Sequence, residues 1–169
     1  MGLKVVIDGY NLIHATLGAG HDIEAARHGL IERVSIYARM KQARVTVVFD
    51  AMGRGRLMRQ TERIRGVDVV YTRAGESADS LIKEMARKTG SGLTVVTSDR
   101  ELCSFVEKTG AVVFSSHEFG SRLDDALYAD MKGGDIDGSD EDYPRVNKKG
   151  ASKRPSKKER QKLQRLKKL

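Results

Sequence analysis

The amino-acid sequence predicts an α/β fold with a central, mostly parallel sheet of about five strands, and three observations carry that prediction. Five short runs rich in Val, Ile and Phe recur along the chain (residues 3–8, 45–50, 67–72, 93–97 and 112–114). Most are continuously apolar instead of alternating, as strands covered on both faces are. Helical patterns fill the gaps between them, the order expected of a parallel sheet.

Each connecting segment has its own signals. After Asp22, a candidate N-cap, Ile23, Ala26, Leu30, Val34, Tyr37 and Met40 follow helical spacing. Ser77 can cap a helix carrying Leu81, Ile82, Met85 and Ala86, which Gly90 ends. Ser98-Asp99-Arg100-Glu101 spells a capping box ahead of Leu102, Phe105 and Val106, with a stop at Gly110. Ser115 to Glu118 repeats that spelling before Phe119, Leu123, Ala126 and Leu127. Between the second and third runs, residues 54–65 hold five arginines and are expected on a loop or short helix. These patterns give three segments: a domain over 1–131, an acidic Gly/Asp-rich linker over 132–147, and a basic tail over 148–169. Leu163, Leu166 and Leu169 predict at most a frayed helix in that tail.

Charge follows the same division. The chain has 169 residues and a net charge of +8, but 12 basic residues and only Glu159 among the acids lie from Arg145 onward. The body before them holds 19 basic and 22 acidic residues, a net of −3. A single cysteine, Cys103, permits no internal disulfide and points to a reducing compartment. No apolar run approaches the roughly 20 residues of a membrane helix, and the first residues lack signal-peptide design. A cytoplasmic protein without a membrane partner is expected. The histidines at 14, 21, 28 and 117 show neither i,i+4 spacing nor neighbouring cysteines, which argues against a transition-metal site.

The acids fall in an informative pattern. Asp8 ends the first run, Asp50 the second, Glu76 and Asp79 lie just beyond the third, and Asp99 follows the fourth. Ligands of open parallel sheets bind outside the carboxyl ends of the strands. Helix capping is the ordinary reading of Asp79 and Asp99. It suits Asp8 and Asp50 less, because the sequence shows no helix starting immediately after either. Converging carboxylates repel, so a cluster needs a cation, and the hard-cation choice is Mg²⁺ or Mn²⁺. Such ions hold a phosphodiester and activate water. No G-x-x-x-x-G-K-[ST] or dinucleotide fingerprint is present, so no organic cofactor is expected.

Four motifs then line up: Val6-Ile7-Asp8-Gly9-Tyr10-Asn11-Leu12-Ile13, Val47-Val48-Phe49-Asp50, Gly75-Glu76-Ser77-Ala78-Asp79 and Val95-Val96-Thr97-Ser98-Asp99-Arg100. Together they resemble the YacP-like NYN domain family of the PIN-like nuclease superfamily, over about residues 3–130. The resemblance implies a PIN-like three-layer fold and a metal-dependent endoribonuclease, some relatives of which cleave mRNA on the ribosome. Carried over by position, Asp8, Asp79 and Asp99 would hold the metal, and Asn11 would orient a ligand or phosphate. Glu76 and Asp50 would serve an outer position or a second metal. Ser98 would touch substrate or water, or simply cap a helix. Gly9 would allow close backbone approach or serve a turn.

Arg54, Arg56, Arg59, Arg63 and Arg65 follow the loop that leaves Asp50 and would border the acidic cleft, with Arg54, Arg56 and Arg59 binding phosphate through their planar forks, or would form a solvated basic face. Tyr10 is the aromatic best placed to stack on a base, or it is buried. The leading expectation is hydrolysis of RNA by metal-activated water, leaving 5′-phosphate and 3′-hydroxyl ends. The alternative is an RNA- or ribosome-binding module with a weak or inactive nuclease site. A third reading, a small-molecule phosphohydrolase or phosphorelay receiver, is opposed by the arginines and the basic tail. Oligomeric state has no signature in the sequence.

Overall fold

The computed structural model describes residues 2–18, 20–51, 57–133 and 156–169. Their elements run β1 (Lys4–Asp8), α1 (Gly9–Leu17), α2 (Ile23–Met40), β2 (Arg44–Phe49), β3 (Gln60–Ile64), β4 (Val67–Tyr71), α3 (Ala78–Thr89), β5 (Leu93–Val96), α4 (Arg100–Lys108), β6 (Val112–Phe114), α5 (Ser116–Met131) and α6 (Lys157–Leu166). The six strands form one sheet in the order β3-β4-β2-β1-β5-β6. All pairings are parallel except β3 with β4.

The apolar runs are continuous because each strand feeds two cores. Val5, Ile7, Val45, Val47 and Phe49 face α1, α2 and α5 through Leu12, Ile13, Leu30, Val34 and Phe119. Val6, Val48 and Val95 face the other layer, with Leu81, Ile82, Leu102 and Val106 of α3 and α4. At about 1.5–3 kcal/mol for each large apolar side chain buried, these two layers dominate the stability of the domain. Asp22, Ser77 and Ser115 cap their helices as the sequence indicates, and Ser115 with Glu118 completes a capping box.

Two segments differ from expectation. The arginine-rich stretch ends not in a helix but in β3, the sixth and antiparallel strand. Only Ile64 among its residues is apolar, and most of the strand is exposed, so hydrophobic periodicity gives it no signal. Its signal is the turn: Arg65 and Gly66 both have positive φ (48° and 86°) between paired Ile64 and Val67, the geometry of a two-residue primed hairpin. The second difference is α1, which starts directly after Asp8. Asp8 accepts a hydrogen bond from the Asn11 N–H and is itself an N-cap. Gly9 allows this abrupt strand-to-helix turn to pack: a Cβ there would lie 2.4 Å from the Phe49 ring.

The last described segment contains the helix α6. Ser156 and Glu159 form its capping box. Leu169 is buried and Leu166 packs against the larger core. Arg165 donates to the Ser91 carbonyl at 2.5 Å, while Lys158 and Lys162 pair with Glu107 and Glu118. Most of the expected linker lies outside the described residues, as do Arg54 and Arg56.

Candidate active site

The strand order places the site. From β1 the chain moves outward to β2 by way of α1 and α2, and α3 later carries it back to β5 on the other side of β1. The direction of winding therefore reverses between β1 and β5, the crevice where such sheets bind ligands. Lys4 is level with Leu93 and Ile7 with Val96, so Asp8 and Thr97 emerge side by side.

Asp8 ends β1 at this switch point. Its carboxylate is half-buried, and the hydrogen bonds that reach it are long: 3.4 Å from the Asn11 N–H and 3.5 Å from the Thr97 hydroxyl. Burial raises its pKa above the ordinary carboxylate value. The charges of Asp79 and Asp99 push the same way, and the two hydrogen bonds push back only in part. Asp99 caps α4, with its Oδ1 2.9 Å from the Leu102 N–H. The cap is therefore Asp99 rather than Ser98, and Ser98 is released for another task. Asp79, in the first turn of α3, meets the Lys83 ammonium at 2.8 Å, and Lys83 also reaches Glu101 at 3.1 Å.

A small polar network fixes the crevice. Asn11 Oδ1 accepts from the Ser98 N–H at 2.8 Å and from the Ser116 hydroxyl at 2.6 Å. Ser98 Oγ in turn accepts from the Ser116 N–H at 3.0 Å. One side-chain oxygen thus ties α1 to the β5–α4 turn and to the start of α5. Both its lone pairs are occupied, so the Asn11 Nδ2 group is the donor it retains for a ligand. Thr97 links two of the acids: its hydroxyl donates toward Asp8 and accepts from the Asp99 N–H at 3.2 Å. Thr97, Ser116 and Lys83 are the residues sequence reasoning missed. The available signal was position, since Thr97 directly follows a strand, Ser116 opens α5 and Lys83 stands four residues after Asp79.

The remaining candidates lie elsewhere: Arg63 and Arg65, expected at the cleft, pair instead with Asp68 and Glu32. Arg59 donates to both oxygens of Glu76 and to Glu84 at 2.7 Å, and this pairing holds the Glu76 carboxyl below its ordinary range. Glu76 is thus taken by a guanidinium instead of joining Asp8. Tyr10 packs edge-on against Phe49, with ring centroids 5.1 Å apart, and its hydroxyl interacts with Arg27. Asp50 follows β2 and its charge acts on Tyr10. Tyr10 and Asp50 therefore share the β2 side of the sheet edge.

In kind, the central donors suit a hard divalent cation: anionic oxygens, a half-buried carboxylate with weak partners, and mutual repulsion that a cation would relieve. Among the described residues, no three His, Cys, Asp or Glu side chains are drawn tightly enough to enclose an ion. Asp79 would have to release Lys83 to join the other two.

Comparison with known proteins bears on the family and the fold. A family model described as "YacP-like NYN domain" matches residues 5–168, so it extends through α6. "Uncharacterized protein YacP" from Bacillus subtilis (strain 168) is 36% identical over 104 residues, 56% of this chain, and the match spans 59% of that relative's length. The crystal structure of a point mutant of Rae1 (YacP) from Bacillus subtilis superposes with a TM-score of 0.62 at 28% identity, covering 78% of this chain and 80% of that one. A second crystal structure of Rae1 (YacP) gives the same TM-score at 27% identity, covering 76% and 78%.

Proposed function

Because this chain belongs to the YacP-like NYN domain family, a nuclease-type family, we propose that it is a metal-dependent endoribonuclease acting in the cytoplasm, with ribosome-associated message among its substrates. The observation that carries this reading is Asp8: a half-buried, under-bonded carboxylate at the sheet's switch point, repelled by Asp79 and Asp99. A group in that condition is suited to a cation and costly without one.

In this reading Asp8, Asp79 and Asp99 hold Mg²⁺ or Mn²⁺, which when bound polarises the phosphodiester and eases ionisation of water. The protein supplies the rest. Thr97 keeps Asp8 and Asp99 in register, and the Asn11–Ser98–Ser116 network holds α1 against the β5–α4 turn. Asn11 Nδ2 donates to a non-bridging phosphate oxygen. The water oxygen bonds to phosphorus as the bond to O3′ breaks; the water gives up a proton to solvent and O3′ takes one from solvent, leaving a 5′-phosphate and a 3′-hydroxyl. Glu76 stays with Arg59 and helps to position the start of α3.

The test is direct. The protein is incubated with a long structured RNA in Mg²⁺, in Mn²⁺ and in EDTA. Internal cuts that require the metal support the reading. RNA binding without cuts favours a binding module with an inactive site, the second reading, which the Lys83–Asp79 bridge supports.

A further inference from the structure

A cleft of about 1060 Å³ opens at the opposite, amino edge of the sheet. Lys4 begins β1, Gly92 precedes β5 and Val112 begins β6, and α6 forms the remaining wall. Five cations line it: Lys4, Lys88, Arg165, Lys167 and Lys168, with no Asp or Glu in the lining. Lys88 is paired with Glu84, and Arg165 is held by the Ser91 carbonyl. Lys4, Lys167 and Lys168 are exposed and have no acidic partner among the described residues.

The placement of α6 concentrates this charge. Half-buried Leu166, buried Leu169 just past its end and Arg165 seat the helix, and Lys158 and Lys162 are neutralised by Glu107 and Glu118. The lysines at its carboxyl end remain and meet Lys4 from the far end of the sequence. Helix dipoles account for Lys88 and Lys167 at helix ends but not for Lys4, which stands on a strand. A concave surface of one sign focuses its field on a polyanion. The lining holds no aromatic side chain and only Val112 as an aliphatic one of any size, so it lacks the anchor that protein partners use.

We propose that this cleft binds the phosphodiester backbone of RNA, without reading sequence, at a point remote from the cutting site. The proposal rests on the nuclease reading for its choice of polyanion. Lysines contact phosphates as mobile point charges, and the absence of stacking rings leaves bases unread. β1 carries both sites, Lys4 at one end and Asp8 at the other, about 13 Å apart at 3.3 Å per residue. One RNA touching both must pass around the domain, so only long RNAs gain from the cleft.

The test uses the full chain carrying Lys4→Ala, Lys167→Ala and Lys168→Ala together, with Lys4→Ala alone beside it. Binding of a long labelled oligouridylate is followed by anisotropy in EDTA, from about 0.05 to 0.2 M salt. Each lost contact should lower the slope of log K against log salt by about 0.7, so the triple variant loses about 2 and binds roughly tenfold more weakly at low salt. Thermal melting should be unchanged. With divalent metal, KM for long RNA should rise while the rate at saturating RNA and the cutting of short oligonucleotides stay the same. A change of slope from Lys4→Ala alone separates a shaped cleft from a basic tail acting by itself. Unchanged slope and affinity in the triple variant overturn the proposal, and so does loss of polyglutamate binding with RNA binding intact. Asp8→Asn keeps the two readings apart: it should lose cutting and keep the salt slope. If it cuts normally, the nuclease site fails while the slope still decides the cleft.

Discussion

Two groups of carboxylates begin within three residues of each other at the start of α3, and their electrostatics are opposite. Glu76 belongs with Glu84 around Arg59, where guanidinium hydrogen bonds hold Glu76 below its ordinary range and, with Lys88 assisting, lower Glu84 to about 2. Asp79 belongs with Asp8 and Asp99, where burial and like charge raise Asp8. The first group is complete within the chain. The second is not: Lys83 answers Asp79, the α4 N-terminus answers Asp99, and Asp8 is left with two long hydrogen bonds. Residue type alone does not distinguish the groups. The distinction lies in what answers each acid: guanidinium and ammonium groups for Glu76 and Glu84, two long hydrogen bonds against like charge for Asp8.

The largest effect that would sharpen this contrast is on catalysis. Asp8→Asn should reduce metal-dependent RNA cutting by roughly 10²–10³-fold or more, the scale of losing one electrostatic stabiliser. Asn remains a good N-cap, so circular dichroism should show an intact fold. Glu76→Gln, in single-turnover cleavage, should remain within a few-fold of the wild type, and a loss as deep as that of Asp8→Asn would merge the two groups. Asn11→Ala should come next. It leaves the Ser98 N–H and the Ser116 hydroxyl without their acceptor, a loss of about 1–3 kcal/mol measurable by thermal denaturation.

A pH titration tests the electrostatics themselves. Because the folded-state pKa of Asp8 is raised, the folded protein binds a proton more readily than the unfolded chain, and the ionised carboxylate costs stability as pH rises from about 4. In EDTA, Asp8→Asn should therefore melt higher than wild type at pH 7, with the gain fading as pH falls through the Asp8 pKa. A gain that persists at low pH would assign it to something other than charge. The smallest effect is that of Lys83→Met. Freeing Asp79 should tighten Mn²⁺ binding by up to about fivefold, within the 0.2–1 kcal/mol scale of an exposed ion pair. Weaker Mn²⁺ binding in that variant would mean that Lys83 supports the site instead of competing for it.

Much of this was legible in the sequence because it depends on residue type and local spacing. The doubly covered strands are continuous apolar runs, and Asp22, Ser77 and Ser115 announce their helices. β3 was not legible because an edge strand exposed on most of its surface has no apolar pattern, and its turn places Arg65, not Asn or Gly, at the first positive φ. α1 was obscured because Asp8 completes a strand and caps a helix at once, with Gly9 reading as a turn. At the site, sequence order marked Asp8, Asp79 and Asp99 as neighbours at one sheet edge. It did not reveal that Arg59 takes Glu76 or that Asn11 joins three elements, since those contacts span 17, 87 and 105 residues. The seating of α6 was hidden likewise: Leu166 and Leu169 read as a weak apolar face until the helix is set against β6.

The central claim is that Asp8, Asp79 and Asp99 share one divalent cation, and equilibrium Mn²⁺ titration of the wild type, Asp8→Asn and Glu76→Gln tests it most directly. The account predicts saturable binding by the wild type, retained in Glu76→Gln and weakened about tenfold or more in Asp8→Asn, each factor of ten being about 1.4 kcal/mol. Mn²⁺ bound equally well by Asp8→Asn, or lost in Glu76→Gln instead, would contradict it.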